Sequence, residues 1–408
     1  MVIKNVFKKY VNFAIYTMLN YIDKALIVAI PILYLLTTKN QNTYNKIEFI
    51  ISLGAVIAPV FEFGLRNYLL YGYRDSDNPQ LFVGKASSYF LIISYLYFIV
   101  WLIISIVLKM LNLNSFIIFA IVGIRILYNN IFAFFSIVAR LKDSPSKIFL
   151  LSITVNGITC ILIMVLNLFN IPLSIQLIFL THIIAVLGFG LYICINRIWK
   201  QWHGIIEYVK KALIYSWPLI LNIFLVMLAQ NIGKIYTKLF LNEEAMTRIA
   251  LAQRVTLIIQ LGHTSITGYL SKKMFLEKGL EISKKILLLY TLVLSVSIAM
   301  CILFSLLLYL FMSSYNLLID PIFYIMIIYT ALWCYSAFFE IYLSRNNKNI
   351  YIPITTVISF SLFIIALMVF KFMGVMGIAF AMGVHGLMSL ILIMITIKAL
   401  KKKYVYNI

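Results

Sequence analysis

Long runs of apolar residues, each broken by only a few polar positions, follow one another from about residue 11 to residue 397. A helix rises about 1.5 Å per residue, so roughly 20 apolar residues cross the ~30 Å hydrocarbon core of a bilayer. Runs of that length occupy 11–36, 47–70, 86–111, 115–138, 148–169, 173–195, 213–238, 246–270, 284–311, 321–343, 350–371 and 374–397. They predict twelve transmembrane helices. Strands are not expected, because the runs are uniformly apolar and lack the alternation that a membrane barrel requires. The expected fold class is therefore an all-α polytopic membrane protein.

Composition sharpens this picture. Of 408 residues 63% are hydrophobic and only 12% charged, and the mean hydropathy is +1.01, far outside the soluble globular range. The first run is longer than a signal-peptide core and shows no small-residue cleavage site, so it is read as a retained spanning helix.

The net charge of +21 would suggest nucleic acid in a soluble chain, but here it follows topology. Twenty-four Lys and Arg fall on the termini and alternate loops, and six fall on the opposite loops. The positive-inside rule then places both termini in the cytoplasm and leaves nucleic acid unneeded as a partner. No loop exceeds about 20 residues and no GxxxxGK[ST] motif is present, which excludes a nucleotide-driven motor. Segment 197–212, "RIWKQWHGIIEYVKKA", spaces Trp199, Trp202, Ile206 and Val209 three or four apart. It predicts an amphipathic helix on the cytoplasmic face, linking an N-terminal lobe (1–196) to a C-terminal lobe (213–408). A shift of 210 residues lays Lys234 over Lys24, a weak internal repeat consistent with two six-helix lobes around a central cavity.

Of the 34 Lys and Arg, the four assigned to neither set of loops lie inside the spans: Lys24, Arg125, Lys234 and Arg254. An intramembrane charge costs at least about 2.5–3.5 kcal/mol on insertion scales, so each needs a reason. Lys234 sits near a helix end, where a lysine can snorkel. Apart from Glu48 at the outer edge of the second run, only Asp23, Glu62 and Glu340 are carboxylates within spans, and Glu62 has an (i, i+4) partner in Arg66. Too few acids remain to neutralise the cations. The excess predicts a hydrated cationic cavity built by Lys24, Arg125, Lys234 and Arg254, where Arg in particular suits phosphate through its two-pronged donors. Pyrophosphate is the anion that fits. Asp23 and Glu62 are the expected carriers of a coupling H⁺ or Na⁺, and no other cofactor is expected.

Asn12, Tyr16, Asn20, Asp23 and Lys24 recur at helical spacing and give the first span a polar stripe. Cys160, Cys194, Cys301 and Cys334 lie in apolar runs without CxxC spacing, and His182, His263 and His385 lie in separate spans. Packing roles, and no metal site, are the reading for both sets. Pro31 and Pro218 predict kinks in the first and seventh spans.

Several stretches carry a resemblance: "IPILYLL" in the first span, "LGAVIAPVFEFGL" in the second, "YSWPLILNIFL" and "IALAQRV" in the second half, and "FMGVMGIAFAMGVHGLMSL" at the last hairpin. Together with the twelve-span layout they resemble the polysaccharide flippases (O-antigen and capsule type, Wzx-like) of the multidrug/oligosaccharidyl-lipid/polysaccharide exporter superfamily. The resemblance implies a MATE-like fold and alternating access. It implies translocation of a polyprenyl-pyrophosphate-linked oligosaccharide from the cytoplasmic to the outer leaflet of a bacterial inner membrane. Polysaccharide polymerase and chain-length machinery are the implied protein partners, and Arg254 and Lys234 are carried over as cavity residues. The competing readings are a drug/cation antiporter of the same superfamily, for which a carboxylate-rich cavity would be expected, and a membrane polymerase or glycosyltransferase. The short outer loops, with only Glu48, Glu243, Glu244 and Asp320 as acids, count against an enzyme.

Overall fold

The computed structural model describes the backbone of residues 2–111, 116–141, 146–276, 283–311, 316–346, 348 and 350–405. Every regular element among them is helical: α1 (Val2–Thr38), α2 (Gln41–Phe61), α3 (Leu65–Asp75), α4 (Pro79–Met110), α5 (Phe116–Leu141), α6 (Ser146–Leu168), α7 (Ile175–Ile178), α8 (Leu180–Ile195), α9 (Ile205–Phe240), α10 (Glu243–Leu276), α11 (Lys284–Phe311), α12 (Pro321–Arg345), α13 (Tyr351–Phe370) and α14 (Val375–Val405), with three short 3₁₀ turns. Ten of the described helices are long and apolar enough to cross a membrane. The remaining two of the twelve expected spans are α8, apolar but only 16 residues long, and α10, which carries Arg248 and Arg254 along its length. The protein is a multi-pass membrane protein.

Local chemistry sets the helix boundaries. Asn40 caps α2 by accepting from the Thr43 amide, and Asn78 caps α4 by accepting from Leu81, with Pro79 at the first helical position. Asp320 caps α12 by accepting from Ile322, again followed by proline. Such side chains satisfy amide donors that a helix start leaves without intrahelical partners. Helices α1 and α9 run on through Pro31 and Pro218.

Two expected boundaries are corrected. The second apolar run is not one helix over 47–70: α2 ends at Phe61, and Phe63 and Gly64 take positive φ (47° and 69°) before α3 begins. Gly64 fits because it has no side chain. A Cβ there would lie 2.2 Å from the Ser216 Cβ, and the Ser216 hydroxyl donates to the Gly64 carbonyl at 3.0 Å. Residues 197–212 likewise do not form one amphipathic helix. Arg197 is left-handed, Ile198–Lys200 form a 3₁₀ turn, Gly204 has φ 83°, and α9 starts only at Ile205.

The chain divides into two compact units, Met1–Ile220 and Leu221–Ile408, the division falling within α9. In the first unit Phe90 and Phe134 stack at 4.0 Å, joining α4 to α5. Trp101 donates from its indole to the Phe119 carbonyl (2.7 Å) and stacks on the Phe119 ring, close packing that Gly123 permits because a Cβ would fall 2.2 Å from the indole. In the second unit Tyr290 stacks on Phe338 at 4.1 Å and its hydroxyl donates to the Cys334 carbonyl at 2.7 Å. That hydroxyl therefore accepts from His263 Nδ1, 2.8 Å away. Such buried polar atoms are tolerable in hydrocarbon only when paired.

A charged cavity in the first unit

Helix α1 brings Asp23 into the first unit, where it is buried, 3% exposed. One of its oxygens accepts from the Ser152 hydroxyl and from Asn156 Nδ2 at 3.3 Å, both on α6. The same amide lies 3.2 Å from Ser152 Oγ. Ser152, Asn156 and Thr159 succeed one another at four and three residues, so one face of an otherwise apolar helix carries the polar groups. The other Asp23 oxygen meets Lys24 Nζ at 3.6 Å. That lysine side chain is 48% exposed, so the pair is screened on its lysine side.

Arg125 enters from α5 and is also buried, 4% exposed. Gly54 on α2 leaves room for its stem: a Cβ there would touch the Arg125 Cγ at 3.4 Å. The guanidinium donates from Nη1 to His182 Nε2 at 2.6 Å and lies 5.6 Å from the Tyr128 ring centroid. Arginine stays protonated in proteins, so Nε2 is the acceptor and the His182 proton sits on Nδ1. Nδ1 faces the Thr181 hydroxyl at 3.4 Å, and Thr181 contacts Thr159 at 2.5 Å. Thr159 donates to the Val155 carbonyl. The whole chain thus has one consistent direction, from guanidinium to backbone carbonyl.

Asp23, Lys24, Arg125, Tyr128, Asn129 and Ser152 line one cavity of about 380 Å³ together with the apolar Phe132, Ile148 and Phe149. Its formal charge, two cations against one carboxylate, is positive. Of the expected site residues it brings together Asp23, Lys24 and Arg125. Glu62 does not line it: its carboxylate is buried and paired with Arg66 at 3.2 Å. Lys234 and Arg254 belong to the second unit, on α9 and α10, and are 6% and 3% exposed. Lys234 is thus buried in protein, and it does not snorkel. The side chains of Asn12, Tyr16 and Asn20 lie outside the described residues.

His182, Ser152 and Asn156 are the site residues that sequence reasoning missed. The α6 pair was visible as polar residues four apart in an apolar run, whereas nothing in the sequence linked His182 to Arg125. Among the described residues no cluster of His, Cys, Asp and Glu could hold a metal ion. Cys160, Cys301 and Cys334 are buried and Cys194 is exposed, all as free thiols.

The sequence matches no protein-family model and no curated protein. Solved structures do share the fold. The eukaryotic MATE transporter AtDTX14 aligns with 10% identity over 96% of this chain and 95% of that one, with a TM-score of 0.55. A MATE point mutant aligns with 13% identity over 96% of each chain and a TM-score of 0.52. MATE in the bent conformation aligns with 15% identity over 96% and 94%, with a TM-score of 0.50. The chain has the MATE fold.

Proposed function

We propose that this chain is a secondary transporter whose cargo carries an anionic headgroup, and that the cargo is a polyprenyl-pyrophosphate-linked oligosaccharide. The observation that carries the reading is the cavity lined by Asp23, Lys24 and Arg125, in which the carboxylate already has two hydrogen-bond donors and a lysine. A cationic ligand would find its counter-ion occupied. An anion would find Lys24 and Arg125 lining the same cavity. Lys234 and Arg254 are buried cations of the second unit.

Outward movement of a negative headgroup down an inside-negative potential yields about 2.3 kcal/mol per charge per 100 mV. The polyprenyl tail stays in hydrocarbon throughout, so the chief task is to lower the desolvation barrier of phosphates and sugars. In this reading the membrane is the bacterial inner membrane, both termini are cytoplasmic, and Asp23 or Glu62 carries a coupling H⁺ or Na⁺. The polymerase and chain-length machinery would receive the product.

A second reading, a drug/cation antiporter without enzymatic activity, is favoured by the fold neighbours, among them the eukaryotic MATE transporter AtDTX14. In it Asp23 is the cation's partner once Lys24 turns toward solvent. Proteoliposomes holding the purified chain separate the two: flipping of a fluorescent polyprenyl-pyrophosphate oligosaccharide without uptake of organic cations supports the first, and the reverse result replaces it with the second.

A further inference from the structure

His182 is 1% exposed on the apolar helix α8, with its two nitrogens doing different work. Nδ1 points to Thr181 on its own helix, whose hydroxyl contacts Thr159 on α6. Nε2 receives the Arg125 guanidinium. The ring is packed edge-on against Tyr128, with centroids 4.5 Å apart, and against Phe179. Among the described residues, the charged and titratable groups near it are Arg125 and Tyr128 from α5 and, lining the cavity with them, Asp23 and Lys24 from α1. Helix α6 presents Thr159 and carries Cys160.

A single lone pair on Nε2 serves either the arginine N–H or a proton, never both. While Arg125 holds it, a proton would also bring two positive charges within 2.6 Å of each other in a medium of low dielectric constant. While the arginine contact is in place, Nε2 is not open to a proton. An anion in the cavity reverses both terms. Its oxygens draw the guanidinium donors toward themselves, freeing Nε2, and its negative charge favours an imidazolium that then donates to the same anion.

We propose that His182 is a proton-binding site gated by Arg125, so that anion binding in the first unit takes up one proton on His182 Nε2. The proposal rests on the anion reading given above and adds a second ligand to it. Linkage makes the effect reciprocal: acidification strengthens anion binding by up to about tenfold per pH unit, and the anion strengthens proton binding equally.

The test is titration of the full-length chain in detergent with inorganic pyrophosphate, by calorimetry in buffers of different ionisation enthalpy, as pH falls from about 8 to about 6. Wild-type protein is expected to take up close to one proton per pyrophosphate beyond that of His182→Gln, whose amide oxygen still accepts from Arg125 but binds no proton. The wild-type to His182→Gln affinity ratio should rise by up to tenfold per pH unit. Nitrogen NMR of the imidazole in wild-type protein gives a second readout that needs no His182 variant: Nε2 should lack a proton without pyrophosphate and carry one with it, and a ring unchanged by pyrophosphate overturns the proposal. Pyrophosphate binding with equal uptake in wild type and His182→Gln overturns the proposal and leaves the anion reading standing, with Asp23 the next candidate for the proton. Absence of any pyrophosphate binding overturns both.

Discussion

Removal of the Ser152 hydroxyl tests whether Asp23 is held inside the protein by α6. In the structure this hydroxyl and the Asn156 amide both donate to one carboxylate oxygen, and Lys24 approaches the other. A hydrogen bond to a charged group is worth about 1.5–3 kcal/mol. The Lys24 pair contributes less, at most about 1 kcal/mol, because its ammonium is half exposed. Ser152→Ala should therefore cost about 2 kcal/mol in equilibrium unfolding of the full chain in mixed micelles. In an Asp23→Asn background the same substitution breaks only a neutral hydrogen bond, worth about 1 kcal/mol. The double-mutant cycle should then return a coupling energy of about 1 kcal/mol, well above the 0.3–0.5 kcal/mol scatter of independent sites. Additivity within that scatter would refute the claim that α6 hosts the charge. The same cycle with Asn156→Ala should couple more weakly, since its contact is longer at 3.3 Å.

Arg125→Ala and Arg254→Ala should each abolish transport while leaving the chain inserted, checked by a proteoliposome flipping assay beside membrane fractionation; full activity in both would remove the cationic-cavity mechanism. Glu62→Gln should abolish any dependence of transport on an H⁺ or Na⁺ gradient if Glu62 carries the coupling ion, and transport indifferent to both gradients in the wild type would end that role for Asp23 and Glu62 alike. Gly64→Ala should destabilise by roughly 2–4 kcal/mol, combining a left-handed backbone with a clash against Ser216. Ser216→Gly in that background should recover only the steric part, as unfolding in mixed micelles will show.

The run of apolar residues made the spans legible because hydrocarbon permits few polar interruptions, and that constraint is written residue by residue. It did not show the reversal at Phe63–Gly64. The apolar run continues across it as "FEFGLRNYLL", and only the backbone angles and the seat of Ser216 distinguish two helices from one. The amphipathic spacing over 197–212 was real, yet Gly204 and the left-handed Arg197 divide it, leaving Trp199, Trp202 and Ile206 exposed on different elements. In the site, Asp23, Lys24 and Arg125 stood out because charges in apolar runs are costly. Their partners did not. Ser152 and Asn156 are neutral and cheap in a helix, and His182 meets Arg125 from 57 positions away, a pairing created by the packing of α5 against α8.

The pairing of α1 with α6 has a consequence for biogenesis. Ser152 follows Asp23 by 129 positions in the chain, which at about 5–20 residues per second amounts to roughly 6–26 s of translation. Throughout that interval the newborn first helix holds its carboxylate with Lys24 beside it on the same segment. Release into lipid during this time would strand the acid in hydrocarbon. Retention of the leading helix beside the insertion machinery until α6 emerges would avoid that cost, and this half of the molecule would then assemble by late closure and not in simple order of synthesis.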